Sequence, residues 1–273
     1  MDIKSLISKF TIYHYIIVFL ITLSLTSAIF YGFGANALIP VVIVVATTII
    51  LDLLIEYFKS KTLEFPQSAL ISGLFIGGLL TQNLHWYIYV LAGIIAILSK
   101  HLIRINQNPI FNPANLGILL VSIIFNVSHT WWISSPLLLV IIFGIFMIWR
   151  LKKFDLAISF LVSYYLINSI IELIGGSAFN EIIYTIINGG IIYFFAMFML
   201  IEPKTNPAKN RIVYGILVAI LFVVLHFYIP RHDLPLALAI GNVLVPILNK
   251  FNFEFKKKDP RASIVETFKM EGY

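Results

Sequence analysis

A conspicuous group of polar side chains follows the fourth long apolar run of this chain, between Lys100 and Asn115. Lys100 and Arg104 supply positive charge, while Asn108, Asn112 and Asn115 supply amides that donate and accept hydrogen bonds. Together these groups suit a phosphate, which is negatively charged and accepts hydrogen bonds. A second interpretation stays open for Asn112, because Asn followed by Pro is a common start of a helix, with Asn as its cap. Capping and ligand binding are compatible at this position.

A similar polar group closes the eighth apolar run, at the equivalent place in the second half of the chain. Here we predict that Glu202 and Thr205 bind a ligand. The alternative for Glu202 is an ion pair with Lys204 or Lys209, worth under about 1 kcal/mol if it is exposed.

Asp52 is the most informative single acid, because it lies about two helical turns inside an apolar stretch from Lys59. A carboxylate at membrane depth costs a few kcal/mol and usually marks an ion path or a buried pair. We therefore predict an ion path at Asp52, with pairing to Lys100 or a position at the membrane surface as alternatives. Glu56 is nearer the edge of the stretch and is expected at the interface.

The composition indicates a membrane protein. Of the 273 residues, 60% are hydrophobic and only 12% are charged, whereas soluble domains average about 25% charged residues. The basic residues fall in short connections between apolar runs, which is typical of topology signals and excludes a nucleic-acid-binding surface. The chain has no cysteine, which excludes disulfides, thiolate zinc sites and cysteine-ligated iron–sulfur clusters.

Hydropathy predicts an all-α, polytopic membrane protein with about ten transmembrane helices, the first of them retained rather than cleaved as a signal peptide. With the N-terminus in the cytoplasm, every Lys and Arg except Arg231 falls on the cytoplasmic side. The positive-inside rule thus predicts a multi-pass protein of the cell membrane with both termini in the cytoplasm. The ten segments are placed at roughly 11–31, 36–58, 67–81, 84–102, 113–127, 132–150, 154–175, 181–201, 210–229 and 233–249.

Four segments, the third, fifth, eighth and tenth, are short or are interrupted by Gly, Asn or Pro. They recur at the same places in two halves of five, which predicts a single membrane domain (1–250) built from inverted repeats, about 1–130 and 131–250. Half-helix N-termini would then face a polar ligand at the centre, where we place Ser72, Gly73 and Asn242. The alternative is that glycine merely allows close helix packing.

Four signatures in fixed order carry a resemblance to a known family. The chain resembles the membrane subunits that include RnfD of the Rnf electron-transport complex and NqrB of the sodium-pumping NADH:quinone reductase, over about residues 45–251. The signatures are Gln-Ser-Ala-Leu-Ile-Ser-Gly-Leu at 67–74, Ser-Lys-His at 99–101 followed by Asn-Pro-Ile-Phe-Asn-Pro-Ala-Asn-Leu-Gly at 108–117, Met-Leu-Ile-Glu-Pro-Lys-Thr-Asn-Pro at 199–207 and Gly-Asn-Val-Leu-Val-Pro-Ile-Leu at 241–248.

The resemblance implies ten helices in an inverted repeat similar to urea transporters, a bound flavin and a place on the electron path of an ion-pumping complex. In the family, FMN is attached to Thr in a Ser-Gly-Ala-Thr motif, which is absent here; only Ser128 and Thr130 lie in the corresponding connection. Covalent FMN is therefore not expected, and FMN or riboflavin bound without a covalent bond is. The implied partners are other membrane subunits and a soluble electron-donor flavoprotein.

Four histidines fall on the outer side of this topology. Haem or metal ligation by His85, His129, His226 and His232 is an alternative, but none has ligand spacing within one helix, so we predict interfacial histidines and no metal site. Four tryptophans near segment edges are interpreted as an aromatic belt; they are Trp86, Trp131, Trp132 and Trp149.

The basic tail 251–273 carries Lys256, Lys257 and Lys258. We expect it to lie in the cytoplasm and to bind anionic lipids, with docking of a soluble protein as the competing interpretation.

Two functional hypotheses follow. The first is a subunit of an Rnf/Nqr-like complex that binds flavin and transfers electrons, with coupling to Na⁺ or H⁺. It would be part of an oxidoreductase rather than a complete enzyme, because the chain has no nicotinamide-binding fingerprint, and its catalytic residues are unknown. The alternative is a transporter or channel for a small solute or flavin, without redox chemistry. A purely structural subunit would leave the broken helices unexplained.

Overall fold

The structure, a computed structural model, describes residues 11–61, 64–105, 108–202 and 209–250. These residues form helices separated by short connections, and a two-stranded antiparallel hairpin of β1 (Arg104–Ile105) and β2 (Asn108–Pro109). The helices are α1 (Ile12–Phe30), α2 (Leu38–Ser60), α3 (Gln67–Leu79), α4 (Trp86–Leu102), α5 (Pro113–Phe125), α6 (Leu137–Leu151), α7 (Phe154–Ile174), α8 (Phe179–Ile187), α9 (Gly190–Met199), α10 (Arg211–Tyr228) and α11 (Asp233–Leu248).

The predicted all-α, polytopic membrane fold is confirmed, and each of the predicted segments is helical. The eighth segment is divided into α8 and α9, which are bent by 44° at Asn188 and Gly189. Among the described residues, four helices are long and apolar enough to cross a membrane alone, and the bent pair would make a fifth span if it counts as one. Others, such as α3 and α5 with 13 residues each, are shorter than the roughly 20 residues of a simple span. How many segments cross completely stays a prediction.

The helix ends define two faces. The basic face holds the C-terminal ends of α2 and α4 and the α6–α7 connection, with Lys59, Lys100 and Lys152. The histidine face lies at the other ends of these helices and holds His129 and His226. On the histidine face, Leu80 and His129 form a β-bridge between the α3–α4 and α5–α6 connections.

Small residues allow the helices to approach closely. A Cβ added to Gly117 on α5 would lie 2.5 Å from the carbonyl oxygen of Ala92 on α4, and one added to Gly241 on α11 would lie 2.7 Å from the Val218 side chain on α10. In both halves, then, the last helix packs against the one before it. The second helix of each predicted half also packs against the fourth, as α2 does against α4 and α7 against α10. The inverted orientation of the halves and the division at residue 130 stay predictions.

The aromatic-belt prediction is wrong for Trp131 and Trp132, whose residues are only 2% and 1% exposed. Trp131 packs edge-on against Phe194 and Phe195, and the Trp132 Nε1 donates to the carbonyl oxygen of Gly77 at 3.0 Å. The connection that carries both residues folds back over the core, so proximity to a segment edge does not place them in the interface. Trp86 and Trp149 are 66% and 61% exposed, as a belt requires.

Candidate functional site

A charged cluster is buried near the basic face, between α2 and α4. Lys100 Nζ donates to both carboxylate oxygens of Asp52, at 2.8 Å to Oδ1 and 2.6 Å to Oδ2. His101 Nε2 lies 2.6 Å from Asp52 Oδ1, and the side chains of Asp52 and His101 are each only 2% exposed. A carboxylate only accepts hydrogen bonds, so Nε2 of His101 carries the hydrogen. The alternative interpretation of Asp52, a pair with Lys100, is confirmed, and His101 is an additional partner; the ion path at Asp52 stays a prediction.

The other nitrogen of His101 faces two opposite charges. Lys59 Nζ lies 3.1 Å from His101 Nδ1, and Glu56 Oε1 lies 3.8 Å from the same atom. In the neutral imidazole, Nδ1 accepts a hydrogen bond from Lys59; in the protonated imidazolium, Nδ1 becomes a donor, which suits Glu56 instead. The two partners therefore provide a contact for each protonation state of His101. Glu56 is 46% exposed, in accord with the interfacial position expected for it.

An open cleft of about 570 Å³ leads from the basic face to this cluster. Its volume lies within the range of about 300–1,000 Å³ of small-molecule sites. Three carboxylates and one ammonium line it, so the cleft has a net negative charge that attracts cations and repels phosphate. The lining residues are Tyr13, Asp52, Glu56, Glu64, Phe65, Pro66, Gln67, Ser68 and Lys100.

Arg104 and Asn108, predicted to bind a ligand with Lys100, lie on the hairpin that follows α4. Both are exposed, and Arg104 Nε donates to the carbonyl oxygen of Lys100. Neither is among the described residues that line the cleft.

Three predicted asparagines are fully buried elsewhere, on α5 and α11. Asn112 Oδ1 accepts from the backbone N–H of Asn115 at 2.9 Å, which confirms the capping interpretation. Asn115 Nδ2 donates to the carbonyl oxygen of Pro235 at 2.8 Å, which joins the first turns of α5 and α11. Asn242 Oδ1 accepts from the Tyr214 hydroxyl at 2.6 Å.

Each asparagine keeps one buried amide atom without a hydrogen-bond partner among the described residues: Nδ2 of Asn112, Oδ1 of Asn115 and Nδ2 of Asn242. An unsatisfied buried polar atom costs about 1–3 kcal/mol, so a polar ligand that met these atoms would recover that energy.

Ser72 and Gly73 have contacts that explain them by packing alone. Ser72 Oγ donates to the carbonyl oxygen of Ser68 at 3.0 Å. A Cβ on Gly73 would lie 2.7 Å from both Thr48 Oγ1 and Val45 Cα, so glycine lets α3 approach α2. This contact agrees with the alternative interpretation, in which glycines in the broken segments allow close helix packing.

Glu202 lies just beyond α9 on the basic face, where Lys153 Nζ donates to the carbonyl oxygens of Ile201 and Glu202 at 3.0 and 3.2 Å. Burial, and then the nearby positive charge of Arg211, lowers the pKa of Lys153 from 10.5 to about 8. Thr205, Lys204 and the tail 251–273 lie outside the described residues.

The histidine face has its own polar group. His226 Nδ1 lies 2.7 Å from Asp233 Oδ2, and Trp131 Nε1 donates to His129 Nδ1 at 2.7 Å. Burial lowers the pKa of His129, although the negative charge of Asp233 opposes the shift. Burial also lowers the pKa of His232, and the positive charge of Arg231 adds to this.

His101 is the functional residue that sequence reasoning missed. It was part of the Ser-Lys-His signature, but it received no role. The signal was its place beside Lys100 at the C-terminal end of α4, which ends on the same face as α2, the helix that carries Asp52. Lys100 and His101 are neighbours in sequence, and both side chains reach the carboxylate of Asp52.

Residues 7–137 match the model of the NQR2, RnfD, RnfE family. The matched range runs from the start of α1 to the start of α6 and contains the Asp52 cluster and the cap of α5. A search of curated proteins found no match.

Proposed function

We propose that this chain is a membrane subunit of an Rnf/Nqr-type complex, as the match of residues 7–137 to the NQR2, RnfD, RnfE family supports, and that it admits the coupling cation, Na⁺ or H⁺, to Asp52. The observation that carries this proposal is the buried carboxylate of Asp52 at the end of an acidic cleft. A cation that enters the cleft meets Glu56 and Glu64 first, and it reaches Asp52 only by replacing Lys100. The displaced ammonium then has these same two carboxylates within the cleft as partners.

The orientation belongs to the same proposal. The basic face, with Lys59, Lys100, Arg150 and Lys152, lies in the cytoplasm by the positive-inside rule. The acidic cleft therefore opens to the cytoplasm, where a soluble electron-donor flavoprotein would also dock. Other membrane subunits of the complex would surround the exposed apolar helices.

The second part of the proposal is a flavin, FMN or riboflavin, bound without a covalent bond. We place the polar edge of its ring system against the unpaired amide atoms of Asn112, Asn115 and Asn242, which offer both donors and an acceptor. Bound flavin would take up and release electrons. The chain would fix the orientation of the ring through these amides and exclude water from it by burial. Ser128 and Thr130 are engaged in the backbone contacts with α3 and its connection, and they lack the motif for covalent attachment.

The proposed acidic path for cations can be tested with single-cysteine variants, because the chain has no cysteine of its own. Ser68→Cys places one thiol in the acidic cleft and keeps all its charges. We expect a cationic methanethiosulfonate to react faster there than an anionic one, and Asp52→Asn to reduce the difference. Arg150→Cys, on the basic face but outside the cleft, should prefer the anionic reagent. Equal rates at Ser68→Cys, or an anionic preference, would contradict an acidic cation path.

The flavin part is tested by the absorption spectrum and mass of the detergent-purified protein, before and after denaturation. Flavin absorbance that is released on denaturation, with an unmodified protein mass, would support bound flavin. Flavin that stays attached would contradict the non-covalent assignment. A colourless protein after incubation with FMN or riboflavin would contradict redox chemistry in this chain and favour the transporter alternative.

A further inference from the structure

A second open site lies on the basic face, apart from the Asp52 cleft. It is a groove of about 580 Å³ between the α6–α7 connection and the start of α10. We call it the basic groove, and its lining residues are Trp149, Arg150, Lys152, Phe154, Asp155, Arg211 and Ile212. Neither the ion path nor the flavin site uses any of them.

The groove has a net positive charge, because it contains three cations and one carboxylate. Arg211 is held in place: its Nη1 donates to the carbonyl oxygen of Lys152 at 2.8 Å and lies 3.5 Å from Asp155 Oδ1. The side chains of Arg150 and Lys152 have no hydrogen-bond or ion-pair partner among the described residues, and both are exposed. Two free cations and one fixed guanidinium therefore face the same space.

The wall of the groove is apolar and continues along the helices. Trp149 is 61% exposed, and Phe154 and Ile212 are each 42% exposed. From Phe154, the exposed side chains of Ile158 and Val162 follow along α7 at intervals of four residues, which places them on one side of the helix. An apolar strip thus runs from the charged groove towards the middle of the membrane.

We propose that the basic groove binds the headgroup of an anionic phospholipid, with its acyl chains along the Phe154 strip. The phosphate meets Arg150, Lys152 and Arg211, and guanidinium groups match phosphate oxygens in geometry as well as charge. Basic pockets between transmembrane helices on the cytoplasmic side are typical sites for such headgroups. A tryptophan at the boundary of headgroups and acyl chains, as Trp149 would be, is also typical.

The apolar strip distinguishes a lipid from free phosphate. Inorganic phosphate would use only the cations, and it would leave Trp149, Phe154 and Ile212 exposed. A phospholipid covers both parts of the groove at once. The two ligands therefore differ in what they bury, and the fluorescence of Trp149 can report the difference.

The experiment uses the full chain with Trp86→Phe, which leaves Trp149 as the one strongly exposed tryptophan, since Trp131 and Trp132 are buried. The protein is reconstituted in vesicles that contain brominated lipids, which quench tryptophan on contact. We expect brominated phosphatidylglycerol to quench more strongly than brominated phosphatidylcholine at equal content. The ratio of the two binding constants is the measured quantity.

The variant Lys152→Asn and its control Lys61→Asn remove the same charge from the same backbone conformation. Lys152 and Lys61 both lie on the basic face at the C-terminal cap of a helix, with φ of 53° and 58°, a conformation that asparagine tolerates. Lys152→Asn should lower the relative binding constant of phosphatidylglycerol about fivefold, as expected for one basic residue at a lipid headgroup, and Arg150→Gln similarly. Lys61→Asn, outside the groove, should leave it unchanged.

Three outcomes would overturn the proposal. Equal quenching by the two lipids would show no preference for an anionic headgroup. An equal loss in Lys152→Asn and Lys61→Asn would assign the preference to general surface charge. Relief of quenching by inorganic phosphate, beyond that of chloride at the same ionic strength, would identify a site for a free anion instead of a lipid.

Discussion

The two faces of the molecule carry carboxylate–histidine pairs with similar distances and different environments. His101 lies fifteen residues after Trp86, the first residue of α4, and His226 lies fifteen residues after Arg211, the first residue of α10. Each imidazole approaches a carboxylate closely, at 2.6 Å to Asp52 and 2.7 Å to Asp233. In the predicted division into two halves, α4 and α10 are the fourth segment of each half.

The two pairs differ in how deeply the histidine is buried and in whether a third charged side chain contacts the carboxylate. Asp52 and His101 are each 2% exposed, and Asp52 also pairs with Lys100, whereas Asp233 is 8% exposed and its partner His226 is 61% exposed. A charge removed from water needs its partners, because an uncompensated buried charge costs several kcal/mol, while an exposed pair is screened by solvent. The same pairing is therefore expected to contribute strongly to stability on the basic face and only weakly on the histidine face.

The largest expected effect comes from Asp52→Asn, which removes the charge and keeps the shape. Lys100 and His101 then lose their shared partner, and we expect a loss of about 3–5 kcal/mol in the free energy of unfolding. Denaturant unfolding of the purified protein in detergent micelles measures it. A loss below that of Asp233→Asn would contradict the difference between the two faces.

The next effect is a dependence on alkaline pH, which comes from Lys153 on the basic face. Its folded-state pKa of about 8 lies below the ordinary 10.5, so the unfolded chain binds more protons between these values. Stability should therefore rise with pH over this window, by up to about 3 kcal/mol. Unfolding measured from pH 7 to pH 11 checks this, and Lys153→Met should flatten the profile. An unchanged slope in that variant would assign the rise to another group.

The histidine face should respond to acid instead. Burial lowers the pKa of His129 below its ordinary value of 6.5, so the folded protein disfavours the proton that the unfolded chain accepts. Stability present above pH 6.5 is lost as the pH falls below that value. The thermal unfolding midpoint should decrease there, and less so in His129→Gln. An equal decrease in the variant would mean that His129 is not the responsible group.

The smallest effect is expected for Asp233→Asn, which breaks the exposed pair with His226. Asp233 itself is 8% exposed and accepts from the backbone N–H of Leu234 at 2.7 Å, a bond that asparagine can keep. The free energy of unfolding should fall by no more than about 1 kcal/mol. Double-mutant cycles with His226→Gln give the pair's own contribution, and a coupling as large as that of Asp52 with Lys100 would remove the contrast.

Much of the fold was predictable, because helices in a membrane need apolar side chains and the apolar runs are visible in the sequence. The break at Asn188 and Gly189 and the short third and fifth segments were visible as interruptions of apolar runs. The pairing of Asp52 with Lys100 was an alternative from spacing alone, since both lie close to helix ends on one side.

The remainder depends on how the chain folds back on itself. Trp131 and Trp132 were placed at a membrane edge, but sequence cannot show that their connection covers the core. The predicted ligand-binding residues came from signatures that give order along the chain and no distances. They are consequently divided between the cleft of Lys100, the exposed hairpin of Asn108 and the buried amides of Asn115 and Asn242.

The central claim is that the cation passes through the buried cluster of Asp52 and not through the pair on the histidine face. The most direct measurement is uptake of Na⁺ and of H⁺ by vesicles that contain the purified complex, with wild-type protein, Asp52→Asn and Asp233→Asn at equal amounts of folded protein. We predict that Asp52→Asn abolishes uptake of the coupled cation, while Asp233→Asn retains most of it. Uptake in Asp52→Asn that equals the wild type would contradict a cation path through Asp52.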